Sequence, residues 1–365
     1  MLNSRTVSRI DFNFMGTALV IAGIGLMLIY SATYFSLGNT VFQRQMLWVA
    51  IGIVLMLVFL FVDYHVWFDA APILYAVGLA LLAYLLVWGR LTANVRSWIH
   101  LGQFQFQPSE FMKIFTALAL AKYFDSNERA YLNFRSFGMV TAIIGIPVLL
   151  ILFQPDFGTA ATFFPLVAAA MYFGGIRLRY WIIAGLLVAV IVPAVWFSPV
   201  MKPYQKERIL TFLNPERDPL GRGYQVTQAK IAIGSGGITG KGFKQGTQAK
   251  YEYLPARHTD FIFAVLGEEW GFVGVLVLLA LYLFLILQAF AIAKASRDRG
   301  GTFLAIALIS FFIFHIVINV SMQIGLLPTT GIPLPLVSYG GSSTMMFFMA
   351  IGLILNVDFR KFVNV

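Results

Sequence analysis

The chain has 365 residues, of which 59% are hydrophobic and only 12% are charged. A soluble protein with so few charged residues could not cover its surface, so the composition predicts an integral membrane protein. The absence of cysteine excludes disulfides and thiolate metal sites. The net charge of +10 does not indicate nucleic-acid binding, because the basic residues lie between apolar segments, where they act as topology signals and contacts for membrane lipid.

Apolar runs of about 20 residues predict about ten membrane-spanning helices. They lie near residues 12–34, 44–62, 70–88, 108–124, 136–153, 159–174, 180–198, 261–291, 302–323 and 344–357. The predicted fold class is therefore an all-α polytopic membrane protein, with residues 1–365 forming a single integral membrane domain.

Lysine and arginine predict the orientation of these helices. If the N-terminus is cytoplasmic, the short inner segments hold Arg5, Arg9, Lys122, Arg129, Arg135, Arg177, Arg179, Lys294, Arg297, Arg299, Arg360 and Lys361. The short outer loops then hold only Arg44, Arg90 and Arg96. By the positive-inside rule, this excess predicts that the N- and C-termini are both cytoplasmic. A large external loop, residues 198–260, then lies between helices 7 and 8.

The external loop carries more basic than acidic residues. Its basic residues are Lys202, Lys206, Arg208, Arg217, Arg222, Lys230, Lys241, Lys244, Lys250 and Arg257. Its acidic residues are Glu207, Glu216, Asp218, Glu252 and Asp260. The charge fits either a solvated loop or an outward-facing site for an anionic, phosphorylated ligand. Two stretches, Tyr204–Leu213 and Tyr224–Ile233, mix apolar and basic residues at helical spacing and predict short interfacial helices.

A glycine-dense run, Gly234–Gly242, lies in the same loop. It fits neither the GxxxxGK[ST] pattern of a phosphate loop nor the GxGxxG pattern of a dinucleotide site. The run therefore predicts either a plain hinge or a backbone that approaches a ligand closely.

Charged residues inside or beside apolar spans are costly and indicate function. Pro108 and Glu110 make a good start for the fourth span. Glu110 and Lys113 are three residues apart, so they can pair on one helix face. Lys113 either snorkels beside its partner or faces an internal cavity. Asp156 lies in a tight break between the fifth and sixth spans, where it either caps the next helix or belongs to a site.

Asp260 marks the point where the external loop enters the eighth span. An aspartate there is either a helix cap or a functional group beside Arg257 and His258. Glu268 and Glu269 follow about 12–14 Å deeper, at about 1.5 Å per residue, and need partners or water there.

The segment Gly325–Ser343 is apolar but rich in proline and glycine, so it cannot form an ordinary helix. Irregular backbone at the membrane surface is tolerated only where protein covers it or where it lines a cavity. The pattern favours cavity lining.

Several of these segments resemble the motifs of the SEDS family (shape, elongation, division and sporulation). The hallmark segments are LPARHTDFIFAVLGEEWGFVG at Leu254–Gly274 and GLLPTTGIPLPLVSYGGSS at Gly325–Ser343. The runs QPSEFMK, QPDFGT and NPERDPLGRGYQVTQAKIAIGSGGITGKG are similar to the family as well. Within the family, the likeness is greater to the elongation enzymes than to the division enzymes.

The resemblance implies a peptidoglycan glycosyltransferase that polymerises lipid II into a growing glycan strand on the outer face of the bacterial cytoplasmic membrane. It also implies a class B penicillin-binding protein as partner, which supplies the transpeptidase. The family's catalytic aspartate falls on Asp260, and its other functional residues fall on Glu110, Lys113 and Asp156. The Arg and Trp before the fourth span look like Arg96 and Trp98. Trp270 replaces a more common leucine, to which we attach no mechanistic weight.

Joining a sugar hydroxyl to the anomeric carbon of a lipid diphosphate sugar needs a general base and positive charge for the leaving group. The hypothesis assigns the base to Asp260, with inversion at the anomeric carbon. The diphosphates would be held by basic side chains or by Mg²⁺ or Mn²⁺ near Asp260, because these ions prefer oxygen ligands. The basic candidates are Arg96, Lys113, Arg208, Lys244 and Arg257.

Two other functions remain open from the sequence. The buried charges of Glu110, Lys113, Glu268 and Glu269 would also suit a lipid II flippase, although such a protein should show binding groups on its inner side too. A non-enzymatic scaffold of the wall-synthesis machinery would tolerate changes at Asp260.

Overall fold

The computed structural model describes residues 11–35, 38–89, 95–102, 104–127, 134–175, 186, 189, 203–214, 218 and 221–361. This described part is mostly helical, with one antiparallel pair of short strands. Its elements are α1 Phe12–Thr33, α2 Asn39–Phe61, α3 Tyr64–Trp88, β1 Ile99–Leu101, β2 Phe104–Phe106, α4 Pro108–Asp125, α5 Phe134–Phe153, α6 Phe157–Ala161, α7 Phe164–Phe173, α8 Pro203–Leu213, α9 Arg222–Ser235, α10 Thr247–Lys250, α11 Ile262–Ala295, α12 Arg299–Gln323 and α13 Gly341–Arg360.

Seven of the described helices are long and apolar enough to cross a membrane, namely α1, α2, α3, α5, α11, α12 and α13. Helix α4 has 18 residues but carries charge, and the stretch Phe157–Phe173 is a shorter apolar helix. The predicted span at 180–198 lies outside the described residues, apart from residues 186 and 189. The multi-pass membrane architecture predicted from composition is therefore confirmed.

Several predicted boundaries were wrong by more than a turn. Helix α3 begins at Tyr64 rather than at residue 70, because the Asp63 carboxylate caps it by accepting a hydrogen bond from the His65 N–H. The sixth predicted span is broken into α6 and α7, and Pro165 lies in the first turn of α7. A proline is tolerated there because the N–H it lacks would have no intrahelical partner.

Helix α13 lies at the centre of the described helices. Of the residues in its apolar, membrane-spanning stretch, 94% are buried inside the protein. Large aromatic side chains from α12 and α13, such as Phe311 and Phe347, are fully buried around it. At the C-terminal end of α13, the Asn356 amide donates to the main-chain oxygen of Phe59 at 2.7 Å, and its Oδ1 accepts from the Tyr64 N–H. One buried amide thereby satisfies groups at the junction of α2 and α3.

Helix α11 is kinked at Gly271, whose φ of 65° and ψ of −162° lie outside the helical region. The kink frees main-chain groups on both sides, and the loop before the helix satisfies them. The Phe272 N–H donates to the Gly237 oxygen at 2.9 Å, and the Lys241 N–H donates to the Glu268 oxygen at 3.0 Å. The loop thus replaces the hydrogen bonds that the broken helix loses.

This contact explains the glycine-dense run Gly234–Gly242. A Cβ on Gly236 would lie 1.9 Å from the Gly267 oxygen, and one on Gly240 would lie 2.2 Å from the Glu269 oxygen. Only glycine allows so close an approach. The run is therefore not a plain hinge: its backbone does approach another group closely, but that group is the backbone of α11. Its predicted approach to a ligand stays a prediction.

Candidate active site

Helix α12 presents three buried polar residues on one face. His315, Asn319 and Gln323 follow at intervals of four residues, and each has no solvent exposure. The Asn319 Nδ2 donates to the main-chain oxygens of Asp260, at 3.1 Å, and of Ile332, at 2.8 Å. One buried amide therefore holds the segment that carries Asp260 against the proline–glycine segment, residues 325–343.

Gln323 extends this arrangement by one turn. Its Nε2 donates to the Asn319 Oδ1 at 2.6 Å, which fixes the orientation of the Asn319 amide. Its Oε1 accepts from the Ala264 N–H at 2.7 Å, in the first turn of α11. The first turn of a helix leaves N–H groups without intrahelical partners, so this bond also anchors the start of α11.

A second set of bonds joins the residues before Asp260 to the proline–glycine segment. The Ser338 hydroxyl donates to the Thr259 oxygen at 2.6 Å and accepts from the Leu334 N–H at 2.9 Å. The Tyr339 N–H donates to the His258 oxygen at 2.9 Å. The two segments that resemble the family hallmarks therefore form one hydrogen-bonded unit.

The carboxylate of Asp260 does not cap α11. The N-cap residue is Phe261, and no side-chain hydrogen bond caps the helix. A Cβ placed on Gly331 would lie 3.8 Å from the Asp260 Oδ2, and one on Gly158 would lie 2.6 Å from the Thr330 oxygen. Thr330 and Gly331 thus pass between the Asp260 carboxylate and the start of α6, which brings three distant parts of the chain together.

Asp156 starts α6 and confirms the capping prediction, because its Oδ1 accepts from the Thr159 N–H at 3.1 Å. Its second oxygen has a further role and accepts from the Ser97 hydroxyl at 2.7 Å. Ser97 is nearly fully buried and lies between Arg96 and Trp98. Asp156 therefore brings both of these predicted residues to the same end of the molecule as Asp260.

Arg96 and Trp98 are both half-buried. The Arg96 N–H donates to the Gln154 oxygen at 3.3 Å, and its guanidinium Nη1 donates to the Leu86 oxygen at 3.1 Å, at the end of α3. The remaining guanidinium donors leave Arg96 able to bind an anion as well.

Glu110 and Lys113 form the predicted pair, with the Lys113 Nζ 3.0 Å from the Glu110 Oε1. Lys113 has no solvent exposure, so it does not snorkel. Its Nζ also lies 3.3 Å from the His315 Nε2, while the His315 Nδ1 lies 3.2 Å from the Pro333 oxygen. This geometry fits a neutral imidazole that accepts from the ammonium and donates to Pro333.

The pair is incompletely satisfied. The second oxygen of Glu110, Oε2, is buried and has no hydrogen-bond partner among the described residues. A buried carboxylate oxygen without a donor is costly, so a water or ligand hydroxyl would be favourable at this position.

Glu268 and Glu269 both have buried side chains and different partners. The Glu268 Oε1 accepts from the Lys241 ammonium at 2.7 Å and from the Thr247 N–H and hydroxyl at 2.8 Å. The Glu269 Oε1 accepts from the Ser31 hydroxyl of α1. Glu268 therefore fixes the loop onto α11, which accounts for this buried carboxylate without a catalytic role.

Two of the basic candidates lie near the end of α1. The Arg257 Nε donates to the Ala32 oxygen at 2.8 Å, and its Nη2 lies 3.0 Å from the Glu252 Oε1. The Lys244 ammonium lies 3.8 Å from the ring centre of Tyr34. Both cations therefore already have partners within the protein, so fewer of their N–H groups remain for a ligand.

Arg208 lies on α8 and lines a small hollow beside Leu327 and Thr329 of the proline–glycine segment. It is thus a neighbour of the segment that passes Asp260, although α8 is far from Asp260 along the chain.

Sequence reasoning missed the residues that hold the site together. His315, Asn319 and Gln323 carried a usable signal, because polar residues four apart in an apolar span mark one buried helix face. Ser97 and Ser338 carried no such signal, since isolated serines occur in most loops.

The model of the FtsW, RodA and SpoVE family, described as a cell cycle protein, matches residues 11–362 of this chain. The chain belongs to this family. The resemblance inferred from the hallmark segments is thereby confirmed.

Two relatives are named peptidoglycan glycosyltransferases. MrdB of Escherichia coli strain K12 is 38% identical over 335 residues, which cover 92% of this chain and 90% of MrdB. RodA of Treponema pallidum is 34% identical over 432 residues, covering 98% of this chain and 99% of that RodA.

Two solved structures share the fold. A chain of a peptidoglycan synthase complex, described for its coordination of polymerization and crosslinking, is 35% identical with a TM-score of 0.82, covering 97% of this chain and 98% of that one. The rod shape determining protein RodA of Thermus thermophilus is 28% identical with a TM-score of 0.73, with the same coverage of 97% and 98%.

Proposed function

We propose that this chain is a peptidoglycan glycosyltransferase of cell elongation that polymerises lipid II, with Asp260 as its general base. The glycosyltransferase activity is that of relatives which match the chain over nearly its whole length. The observation that supports Asp260 is its place in the fold. Its carboxylate faces Gly331, and Asn319 and the proline–glycine segment hold its main chain.

The proposed step is a single displacement. The Asp260 carboxylate takes the proton of the acceptor sugar's 4-hydroxyl while that oxygen bonds to the anomeric carbon of the donor. The bond between this carbon and the lipid diphosphate breaks, and the diphosphate leaves with the electron pair. Attack opposite the leaving group inverts the anomeric carbon. Asp260 ends protonated and loses its proton to solvent.

The leaving diphosphate needs positive charge close to its oxygens. Arg96 adjoins Ser97, which binds Asp156, and Arg208 lines the hollow beside Thr329. Lys113 contacts His315, which in turn contacts the Pro333 oxygen. Arg96 and Arg208 are the better candidates for phosphate contact, because the Lys113 ammonium is buried and already contacts Glu110 and His315. Lys244 and Arg257, which pack against α1, would shape the rim of the site.

The lipid chain needs an apolar path. A groove of about 670 Å³ runs between α7, α11 and α12, from Phe164 and Val317 to Lys294. Its walls are almost wholly apolar, which suits a hydrocarbon chain.

The active site is proposed to face the outside of the cytoplasmic membrane. The excess of basic residues on the short segments of the opposite side favours cytoplasmic termini. The partner is proposed to be a class B penicillin-binding protein, because a related chain, 35% identical, comes from a complex that couples polymerization to crosslinking.

Mg²⁺ or Mn²⁺ at Asp260 remains a prediction. In the described ranges, no group of three or more His, Cys, Asp or Glu side chains is arranged to hold a metal. The protein ligands there do not form a complete metal site, so the mechanism above routes no step through a cation.

The flippase alternative is less well supported. The buried charges that suggested a transport path, Glu110 and Lys113, are paired with each other and tied to His315. No observation specifically favours transport over polymerisation.

The proposal is tested with purified protein and lipid II in detergent, with glycan strands resolved by length on a gel. Strand formation is expected from the wild-type chain and from Asp69→Asn, which removes an exposed carboxylate at the opposite end of the molecule. Lipid II crossing vesicle membranes without strand formation would instead support the flippase. Comparing strand formation with a chelator and with added Mn²⁺ shows whether the reaction requires a divalent metal.

A further inference from the structure

A small hollow lies between α8, α9 and the proline–glycine segment. Two cations line it, Arg208 from α8 and Lys230 from α9, and no carboxylate is among its lining residues. Two threonines, Thr211 and Thr329, line it as well. Guanidinium, ammonium and hydroxyl groups around one concavity are the donor set that binds phosphate oxygens.

The end of the Lys230 side chain packs directly over a glycine of the proline–glycine segment. Gly325 has a φ of +78°, and a Cβ there would lie 2.2 Å from the Lys230 Nζ. Any other residue at 325 would be strained and would displace the ammonium. Lys230 has no ion-pair partner among the described residues, so its charge is available to a ligand.

Two cations that face one hollow repel each other. An anion bound between them offsets this electrostatic repulsion. About 20 Å³ of the hollow is open to the centre of a water-sized group. This is room for one water-sized group, such as a phosphate oxygen, and too little for a sugar ring. The charge therefore favours an anion, and one oxygen of a phosphate can enter the hollow while the rest of the group stays at its mouth.

The hollow adjoins the proposed catalytic residue. Thr329 lies two residues before Gly331, which faces the Asp260 carboxylate. Consecutive Cα atoms are about 3.8 Å apart, so the two positions lie within about 8 Å of each other. A diphosphate bound at the hollow could therefore present its sugar to Asp260.

We propose that Lys230 and Arg208 form a phosphate subsite for the diphosphate of the lipid-linked substrate, with Gly325 setting the position of Lys230. This assignment rests on the proposed glycosyltransferase function and adds Lys230 and Gly325 to its binding residues. Neither residue takes part in proton transfer.

The test compares Lys230→Met with Lys250→Met in the polymerisation assay with lipid II. Lys250 lies in the same loop with an exposed side chain, so the control removes the same charge elsewhere. Loss of a charge-assisted hydrogen bond is expected to raise the KM of Lys230→Met about tenfold or more. The inhibition constant of inorganic diphosphate, used as a probe, should rise in parallel.

Gly325→Ala is the second variant, because it displaces the ammonium without removing its charge. A raised KM in both Gly325→Ala and Lys230→Met, with Lys250→Met near wild type, supports the subsite. A Lys230→Met KM equal to that of Lys250→Met overturns it. An active Asp260→Asn would instead refute the catalytic assignment, so the two failures are distinguishable.

Discussion

The side-chain amide of Asn319 donates a hydrogen bond to the main-chain oxygen of Asp260 over 3.1 Å, and Asn319 is fully buried. The same nitrogen donates to the Ile332 oxygen, so a single group sets the distance between the Asp260 segment and the proline–glycine segment. The position of the proposed base is therefore fixed by a helix that carries no catalytic residue of its own.

Replacing Asn319 with leucine should lower the rate far more than the affinity. The change leaves two carbonyl oxygens without their donor, at a cost of about 1–3 kcal/mol each when buried. Misplacing a reacting group by about 1 Å can cost about a hundredfold in rate. We expect kcat to fall about ten- to a hundredfold with a nearly constant KM, measured as initial rates of lipid II polymerisation.

Asn127→Leu is the matched control, because Asn127 also donates to a carbonyl oxygen, that of Tyr123, but at the far end of α4. An equal loss of kcat in both variants would contradict a positioning role for Asn319.

The Glu110–Lys113 pair should behave as a unit in thermal unfolding. Lys113→Met leaves the Glu110 carboxylate buried without its cation, which typically costs about 3–5 kcal/mol. The double variant Glu110→Gln with Lys113→Met removes both charges and should recover much of that stability. Its unfolding temperature should exceed that of Lys113→Met, while its polymerisation stays low. Additive losses of stability in the double variant would contradict the pairing.

Glu268→Gln should release the loop from α11. The neutral amide loses the ion pair with Lys241, a contribution of about 1.5–3 kcal/mol for a hydrogen bond to a charged group. Limited proteolysis should then cut faster after Lys244 or Lys250, which follow the glycine-dense run. Unchanged cleavage rates, with Glu252→Gln as the exposed control, would show that the carboxylate does not hold the loop.

His258 should make stability depend on pH. Burial, followed by the neighbouring Arg257 guanidinium, lowers the pKa of His258 below its ordinary 6.5. The folded protein then binds fewer protons than the unfolded chain, so the stabilising effect is complete above about pH 6.5 and declines as pH falls toward the lowered folded-state pKa. His258→Gln should lose less thermal stability than the wild type between pH 7 and pH 5. Equal losses in both proteins would assign the acid sensitivity to other groups.

Much of the fold could be predicted from the sequence, because long apolar runs can only be membrane helices. The exceptions have local causes. Helix α3 starts early because Asp63 caps it, and the sixth span breaks before Pro165. The kink of α11 at Gly271 was not predicted, since its lost hydrogen bonds are restored by a loop about 30 residues away along the chain.

The charged residues of the candidate site could be predicted from the sequence, but the contacts that hold them in place could not. Glu110, Lys113, Asp156 and Asp260 are conspicuous, because charge beside apolar runs is costly. Their mutual arrangement depends on contacts between distant parts of the chain. The Ser97–Asp156 bond joins residues 59 positions apart, and the approach of Thr330 to Gly158 joins residues still farther apart. Spacing within a sequence carries no information about such contacts.

The most direct test of the central claim is the single-turnover rate of lipid II polymerisation by Asp260→Asn. The asparagine keeps the size of the side chain and removes its basicity. We expect a rate lower by about a hundredfold or more, the typical contribution of a general base, with lipid II binding retained. A rate equal to that of wild type and of Asp69→Asn would contradict the assignment of Asp260 as the base.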